Sequence, residues 1–248
     1  MSTPLRHRWD LAPKEAVRLQ RELAPRVVKC RPPWGRKFDG LVVAGADVSC
    51  RRGSKLLRAA VVAVRLPEFE VLGVARLEGE AAMPYVPGLL SFREAPIVID
   101  CFRRLRARLR KVNIDCLMCD GQGVAHPRGL GLASHVGLRL GIPTVGCAKS
   151  RLCGEHIGPG PSRGDWSALE FKGRVIGRVL RTRDNVKPLY VSVGHLVDLP
   201  SSAALVLECA PRYRLPEPTR LAHHAAGWRG AEGDLLPELR RIVRTPKA

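Results

Sequence analysis

Hydrophobic positions recur with two different periods along the chain. Near the start, apolar side chains lie three and four residues apart between Ala16 and Val27, which predicts a helix over 14–28. Three apolar runs follow, over 41–48, 56–66 and 71–77, and short turns with glycine, serine or proline separate them. This pattern predicts three strands that pair as an antiparallel meander.

Helices and strands alternate in the rest of the chain. A long helix is predicted over about 89–111, with Pro96 in its first turns. After it we expect a strand over 114–119, a helix over 131–140, a strand ending at Cys147, strands over 174–181 and 189–193, and helices over 201–209 and 235–243. A meander followed by such alternation predicts one mixed α/β domain.

Charge sets the class of partner. The 248 residues carry a formal net charge of +19, and the isoelectric point is about 10.5. This balance favours a polyanion, with nucleic acid the first candidate. Six cations lie within 103–111, on a helix whose inner face would present Phe102, Leu105 and Leu109. Those cations could contact phosphate or form an ordinary solvated face.

Apolar runs and cysteines limit the remaining classes. No run approaches a membrane span, and the first ten residues lack the apolar region of a signal peptide, so we expect a soluble, cytoplasmic protein. Cys116 and Cys119 form a CxxC pair, but no second pair suits zinc. They lie inside an apolar strand, where alternation would place them on opposite faces as buried free thiols. Disulfide bonds remain an alternative if the source is a hyperthermophile.

Two aspartates and one glutamate form the first candidate site. Asp47 ends the first predicted strand and Asp120 ends the fourth, so neighbouring strands would bring both carboxylates to one sheet edge. Glu94 lies on the helix between them. Three carboxylates suit Mg²⁺ or Mn²⁺, and such a site beside a basic surface indicates phosphodiester cleavage. Alternatively, Asp47 and Asp120 are turn residues, and Glu94 forms a helix capping box with Ser91.

The segment 120–135 begins with Asp120 and contains four glycines, two histidines and an arginine. Glycine lets backbone approach a ligand closely. Within this segment His126 is the better candidate for function, whereas His135 falls on a helix and is expected to be packed. Lys149 follows another strand and could reach a phosphate, or be a plain surface lysine. Tyr85 is flanked by prolines and could wedge into a base stack, or pack on the next helix.

Several motifs together resemble the endonuclease V family, whose members cleave beside deaminated purines. They run in family order across roughly 40–224, and the combination is highly specific. The matching stretches are 45–49 (GADVS), 84–94 (PYVPGLLSFRE), 120–135, 146–150 (GCAKS), 188–195 (PLYVSVGH) and 216–220 (PEPTR).

The resemblance implies a ribonuclease-H-like α/β fold, with three antiparallel strands followed by parallel strands and helices on both faces. We therefore treat 1–248 as one domain, with an N-terminal helix over 14–28, a core over about 40–224 and a basic tail over 225–248. It also implies Mg²⁺-dependent hydrolysis, with Mn²⁺ as a substitute, of the second phosphodiester 3′ of deoxyinosine in DNA. The products would carry 3′-hydroxyl and 5′-phosphate ends.

Site residues follow from the resemblance by motif. Asp47, Glu94 and Asp120 would hold the metal, His223 would lie close to it, and Lys149 would stabilise the phosphate charge or orient water. The strand-separating wedge would be Pro84, Tyr85, Val86 and Pro87. The pocket for the flipped base would be lined by Gly88, Leu90, Gly121, His126, Leu132 and Leu152. Arg128 and Ser150 are candidate phosphate contacts.

Two alternatives stay open. The same fold and chemistry could serve inosine-containing, single-stranded RNA. A basic nucleic-acid-binding protein without catalysis is the third possibility, but the complete set of Asp47, Glu94 and Asp120 argues against it. We expect a monomer with no membrane partner.

Overall fold

The structure of the protein is a computed structural model that describes residues 7–51 and 53–244. The helices are α1 (Pro13–Leu23), α2 (Leu90–Arg108), α3 (Leu132–Leu140), α4 (Leu199–Glu208), α5 (Glu217–Gly227) and α6 (Glu232–Arg244). A 3₁₀ turn (Ala24–Arg26) follows α1. The strands are β1 (Val42–Cys50), β2 (Leu56–Arg65), β3 (Glu70–Glu80), β4 (Cys116–Cys119), β5 (Thr144–Ala148), β6 (Trp166–Phe171), β7 (Arg174–Leu180) and β8 (Leu189–His195).

All eight strands form one mixed sheet in the order β3-β2-β1-β4-β5-β8-β7-β6. The first three are the predicted antiparallel meander. Next to β1, β4 and β5 run parallel to it, and β8, β7 and β6 complete the sheet in antiparallel pairs. The parallel centre puts the carboxyl ends of β1, β4 and β5 at one edge, where α/β proteins place their sites.

Each face of the sheet packs against its own group of helices. One face is covered by α2 and α3, and the other by α4, α5 and α6. Cys116 belongs to the second face and Cys119 to the first, as the alternation predicts. Both are buried, and the chain's eight cysteines, all within the described ranges, are free. The prediction of buried free thiols is therefore confirmed for this pair.

Several predicted bounds were wrong. The N-terminal helix predicted over 14–28 ends at Leu23 and continues only as a 3₁₀ turn to Arg26, because Pro25 cannot continue the α-helical hydrogen bonds. Two elements were not predicted, β6 and α5. Since α5 runs to Gly227, the segment assigned as a tail from 225 starts inside a packed helix, and α6 follows it.

The start of α2 decides between two interpretations of Glu94. Leu89 occupies the cap position, and Ser91 lies inside the first turn, where its hydroxyl oxygen Oγ is 3.1 Å from Nδ1 of His135. A capping box between Ser91 and Glu94 is therefore wrong. His135 is fully buried, as expected for a packed histidine. None of the helices in 7–51 and 53–244 has the length and apolar character needed to cross a membrane.

Candidate active site

Asp120 directly follows β4, whereas Asp47 lies inside β1, which continues to Cys50, so the prediction that Asp47 ends its strand was wrong. The two aspartates nevertheless lie at the same level of neighbouring parallel strands. In the register of β1 and β4, Ala46 lies opposite Cys119, and the backbone N–H of Asp120 donates to the Ala46 carbonyl at 3.1 Å. Both carboxylates are largely buried at this edge of the sheet. The strands are thus neighbours, which is the condition under which the sequence analysis expects the two carboxylates to converge.

Two cationic or ionisable partners come from adjacent elements. Lys149, one residue after β5, forms an ion pair with Asp120. His223 on α5 places Nδ1 at 2.8 Å from Oδ2 of Asp47. The helix can lie this close to β1 because of Gly45: a Cβ there would overlap the backbone of Pro218 and Thr219 at the start of α5.

The electrostatics of the site are dominated by buried negative charge. Burial, then Asp47, raise the pKa of Glu94 to about 8, with Asp120 adding to the rise and Arg93 opposing it. Burial also raises the pKa of Asp120, with Lys149 opposing and Asp47 reinforcing the rise. Glu94 on α2 therefore lies within the electrostatic range of both aspartates, and its role as a third metal carboxylate stays a prediction.

A cavity of about 330 Å³ opens beside these carboxylates. Its wall includes Asp120, Lys149, Ser150 and Tyr85. The six residues predicted to line a base pocket all contribute as well: Gly88, Leu90, Gly121, His126, Leu132 and Leu152. A volume of this size is within the usual range of small-ligand pockets. The structure therefore brings together the predicted metal carboxylate, the predicted lysine and the predicted pocket.

The proline-flanked loop stands at the rim of this cavity. Pro84, Tyr85 and Pro87 are exposed and Val86 is half-buried; Tyr85 is 65% exposed. Tyr85 and Leu90 also border a second cavity of about 760 Å³, whose wall includes Glu94. The loop thus separates two cavities. A further cavity of about 720 Å³, between the 154–157 segment and the β6–β7 hairpin, contains none of the predicted site residues.

His126 and Arg128 are held by protein partners. Nδ1 of His126 accepts the backbone N–H of Arg128 at 3.1 Å, so Nε2 carries the proton and donates to the Gly88 carbonyl at 2.9 Å. Burial lowers the pKa of His126 to about 4, which keeps the ring neutral. Arg128 donates to Gln20 and to Gly88, although it was predicted as a phosphate contact. Gln20 itself was missed, because one polar residue in the apolar stripe of α1 gives no signal of its partners.

The comparisons with known proteins agree along most of the chain. A profile described as Endonuclease V matches residues 24–224. Endonuclease V of Dehalococcoides mccartyi is 47% identical over 220 residues, or 89% of this chain and 95% of the relative. The crystal structure of endonuclease V from Streptomyces avermitilis is 39% identical, with a TM-score of 0.80 over 88% of this chain and 93% of that one.

The chain belongs to the endonuclease V family. Its fold is ribonuclease-H-like, and it is an endonuclease, a hydrolase of deaminated-base DNA repair. A crystal structure of Ciona intestinalis endonuclease V holds a 24mer DNA containing an inosine followed by a ribo-adenosine. That chain shares the fold, with a TM-score of 0.73 at 24% identity over 92% of this chain and 98% of its own.

Endonuclease V enzymes depend on a metal ion, and the carboxylates fit that requirement. Asp47, Glu94 and Asp120 supply hard oxygen donors, and burial first, then the neighbouring carboxylates, raises the pKa of Glu94 and of Asp120. A divalent cation would offset this charge. Within the described residues no three such side chains are already arranged as a ligand set.

Proposed function

We propose that this protein is a Mg²⁺-dependent endonuclease that recognises hypoxanthine in DNA and hydrolyses the second phosphodiester bond 3′ of the deoxyinosine. The products would end in 3′-hydroxyl and 5′-phosphate groups, and Mn²⁺ would substitute for Mg²⁺. We further propose that it acts as a monomer in the cytoplasm. The proposal rests on one observation above all: Asp120 and Lys149 belong both to the charged cluster and to the wall of the 330 Å³ cavity.

The carboxylates and the lysine would perform the hydrolysis. Asp47, Asp120 and Glu94 would hold the cation, which supplies an activated water and stabilises the charge that develops on the phosphate. Lys149 would place a positive point charge next to that phosphate. His223 would hold the Asp47 carboxylate in one orientation through its 2.8 Å hydrogen bond.

The cavity and the loop at its rim would select the substrate. An enzyme that reads a base edge must take the base out of the stack, and a mispaired inosine costs least to extrude. The exposed Tyr85 ring, held between Pro84 and Pro87, would fill the gap left in the duplex. The displaced purine would enter the cavity, where Gly88 and Gly121 leave room for its close approach to backbone.

Cleavage of matched oligonucleotides tests this proposal. Wild-type protein with Mg²⁺ should cut an inosine-containing duplex at a single position and leave the same duplex with adenine intact. Asp47→Asn and Asp120→Asn should abolish cleavage while binding persists, since both variants keep the shape of the site. Absence of cutting by the wild type, or full activity of either variant, contradicts the proposal.

RNA is the alternative substrate, because cation, lysine and cavity would serve an inosine on ribose equally well. The exposed Tyr85 favours DNA, since a wedge is needed only where a duplex must be opened. The same assay with inosine-containing single-stranded RNA separates the two. A higher kcat/KM on that RNA than on duplex DNA would assign the enzyme to RNA.

A further inference from the structure

The backbone carbonyl of Gly88 accepts hydrogen bonds from three side chains. Nε2 of Gln20 lies at 3.0 Å, Nε2 of His126 at 2.9 Å, and Nη2 of Arg128 at 2.6 Å from this oxygen. A carbonyl oxygen has two lone pairs, so three donors saturate it, and the arginine bond is charge-assisted. Gly88 directly follows the wedge loop 84–87, so this oxygen fastens one end of the loop to α1 and the glycine-rich loop; the Met83 carbonyl at the other end accepts Nη1 of Arg93 at 3.0 Å.

Gln20 joins three segments through one amide. Its side chain is fully buried on α1, and besides Gly88 its Nε2 donates to the carbonyl of Leu130 at 3.1 Å. Its Oε1 accepts Nε of Arg128 at 2.5 Å. Leu130 lies two residues before Leu132, in the wall of the base cavity. The amide therefore connects α1, the end of the wedge loop and the glycine-rich loop, and both its ends are satisfied.

The backbone at Gly88 permits this arrangement. Its φ is +76°, a conformation that residues with a side chain rarely adopt, and a Cβ there would lie 2.7 Å from Nη2 of Arg128. Gln20 precedes residue 24, where the match to the family profile begins.

We propose that Gln20 is a positioning residue that couples the wedge loop to the base cavity. By holding the Gly88 and Leu130 carbonyls at a fixed separation, it makes insertion of Tyr85 and capture of the displaced base one event. This inference rests on the proposed function of the loop and the cavity. Gln20 touches no reacting atom; it acts through Gly88.

Gln20→Met tests the coupling, because methionine keeps the length and helix propensity of the side chain and removes its hydrogen bonds. Leu23→Ala on the same helix is the control, since Leu23 is buried on α1 but makes no side-chain hydrogen bond to Gly88 or Leu130. We compare kcat/KM on duplex and single-stranded DNA with the same inosine. Gln20→Met should lose at least about tenfold on the duplex and clearly less on the single strand, because small misplacements are costly in catalysis. Leu23→Ala should leave the ratio unchanged.

A double-mutant cycle with Tyr85→Ala separates coupling from plain destabilisation. If Gln20 acts through the wedge, Gln20→Met should cost no more than about twofold on the duplex once Tyr85 is removed. Should Gln20→Met fail to fold, Arg128→Met, which removes another donor to the same carbonyl, must show the same dependence on Tyr85.

Three results would overturn the coupling: additive losses in the double-mutant cycle, equal losses of Gln20→Met on duplex and single strand, or a change of the duplex to single-strand ratio in Leu23→Ala as large as that in Gln20→Met. If wild-type protein cuts the inosine duplex but the variants give one of these results, only the proposed role of Gln20 is contradicted. Wild-type protein that leaves the inosine duplex uncut removes the proposed function, and the coupling with it.

Discussion

Lys149 meets a carboxylate whose charge is only partly balanced. The ion pair with Asp120 opposes the rise that burial causes in the pKa of this aspartate, and Asp47 adds to that rise from the next strand. The lysine side chain remains partly exposed and lines the base cavity. At the scale of the residue, the ion pair therefore holds a positive charge beside the carboxylates, in the wall of the 330 Å³ cavity.

Replacing Lys149 with Met should lower the single-turnover cleavage rate by about 10²–10³, the usual effect of losing one group that stabilises developing charge. The free energy of unfolding should change by less than about 1 kcal/mol, because a partly exposed ion pair contributes little. Lys149→Arg, which keeps the charge but changes its position, is the control. Its cleavage rate should lie between those of the wild type and Lys149→Met. A normal rate in Lys149→Met would reduce this lysine to a local partner of Asp120.

At the scale of the element, the position of α5 depends on Gly45. The start of this helix rests on the backbone of β1, two residues before Asp47, and the same helix carries His223 to the Asp47 carboxylate. Strand and helix are packed so closely that hydrogen is the only side chain that fits. The geometry of the carboxylate site is therefore coupled to the packing of a helix on the far side of the sheet from α2.

Gly45→Ala should displace α5 and separate His223 from Asp47. We expect a loss of stability of about 1–3 kcal/mol, as for other overpacked interiors, and a cleavage rate lowered at least tenfold. Gly79→Ala is the matched control: it is also a strand glycine, but its Cβ would meet only Ile97 at 3.5 Å. Chemical unfolding and cleavage assays measure both effects. Equal behaviour of the two variants would mean that α5 tolerates the displacement.

Sequence patterns predicted the elements with strong periodicity and missed two with weak signals. The meander and β4 are apolar runs, so Asp120 could be assigned to a strand end. Asp47 was wrongly assigned to one, because the last residues of β1 are no longer buried. The buried residues of α5 are one leucine, three alanines, a proline, a threonine and a glutamate, so its apolar periodicity is weak, and β6 has one buried residue, Leu169. His223 could be assigned only by family resemblance, since its bond to Asp47 spans 176 residues. Gln20 had no signal, because its partners are two backbone carbonyls and an arginine side chain that lies 108 residues away in the sequence.

At the scale of the whole molecule, the six cations of 103–111, which contribute to the net charge of +19, lie away from the carboxylate site. Arg103 lies nine residues beyond Glu94 on α2, which is about 14 Å along the helix axis. Arg103 pairs with Asp100, and Arg108 contacts Glu232 and the Val74 carbonyl. These contacts favour the solvated-face interpretation of 103–111 over direct phosphate contact.

Variants in which these positive charges are removed decide this question through the salt dependence of binding. Replacing Arg104, Arg106 and Arg110 together with Gln should leave the slope of log K against log salt unchanged, whereas Lys149→Met should reduce it by about 1. Binding of an inosine duplex is measured without Mg²⁺ at several salt concentrations. A slope that falls by two or more in the triple variant would place these arginines on phosphates.

Buried histidines link the stability of the whole fold to pH. Burial lowers the pKa of His126 to about 4, and it lowers the pKa of His135 well below its usual value. An unfolded chain protonates these rings below about pH 6.5, whereas the folded chain does not, so their contribution to stability is full above pH 6.5 and is lost as the pH falls towards 4. Glu94 has the opposite effect, because its raised pKa makes the folded state bind the extra proton between about pH 8 and 4.5.

Comparing His126→Gln with the wild type isolates one histidine from these opposing titrations. Glutamine can still donate to the Gly88 carbonyl but does not titrate, and Glu94 and His135 contribute equally to both proteins. The difference in unfolding free energy should shift by about 2–3 kcal/mol in favour of the variant between pH 7.5 and 4.5, as a pKa displaced from 6.5 to about 4 requires. Denaturant unfolding at four pH values in this window measures the shift. A constant difference would show that His126 takes up its proton in the folded state as readily as in the unfolded chain, and so that its bond to Gly88 does not depend on a neutral ring.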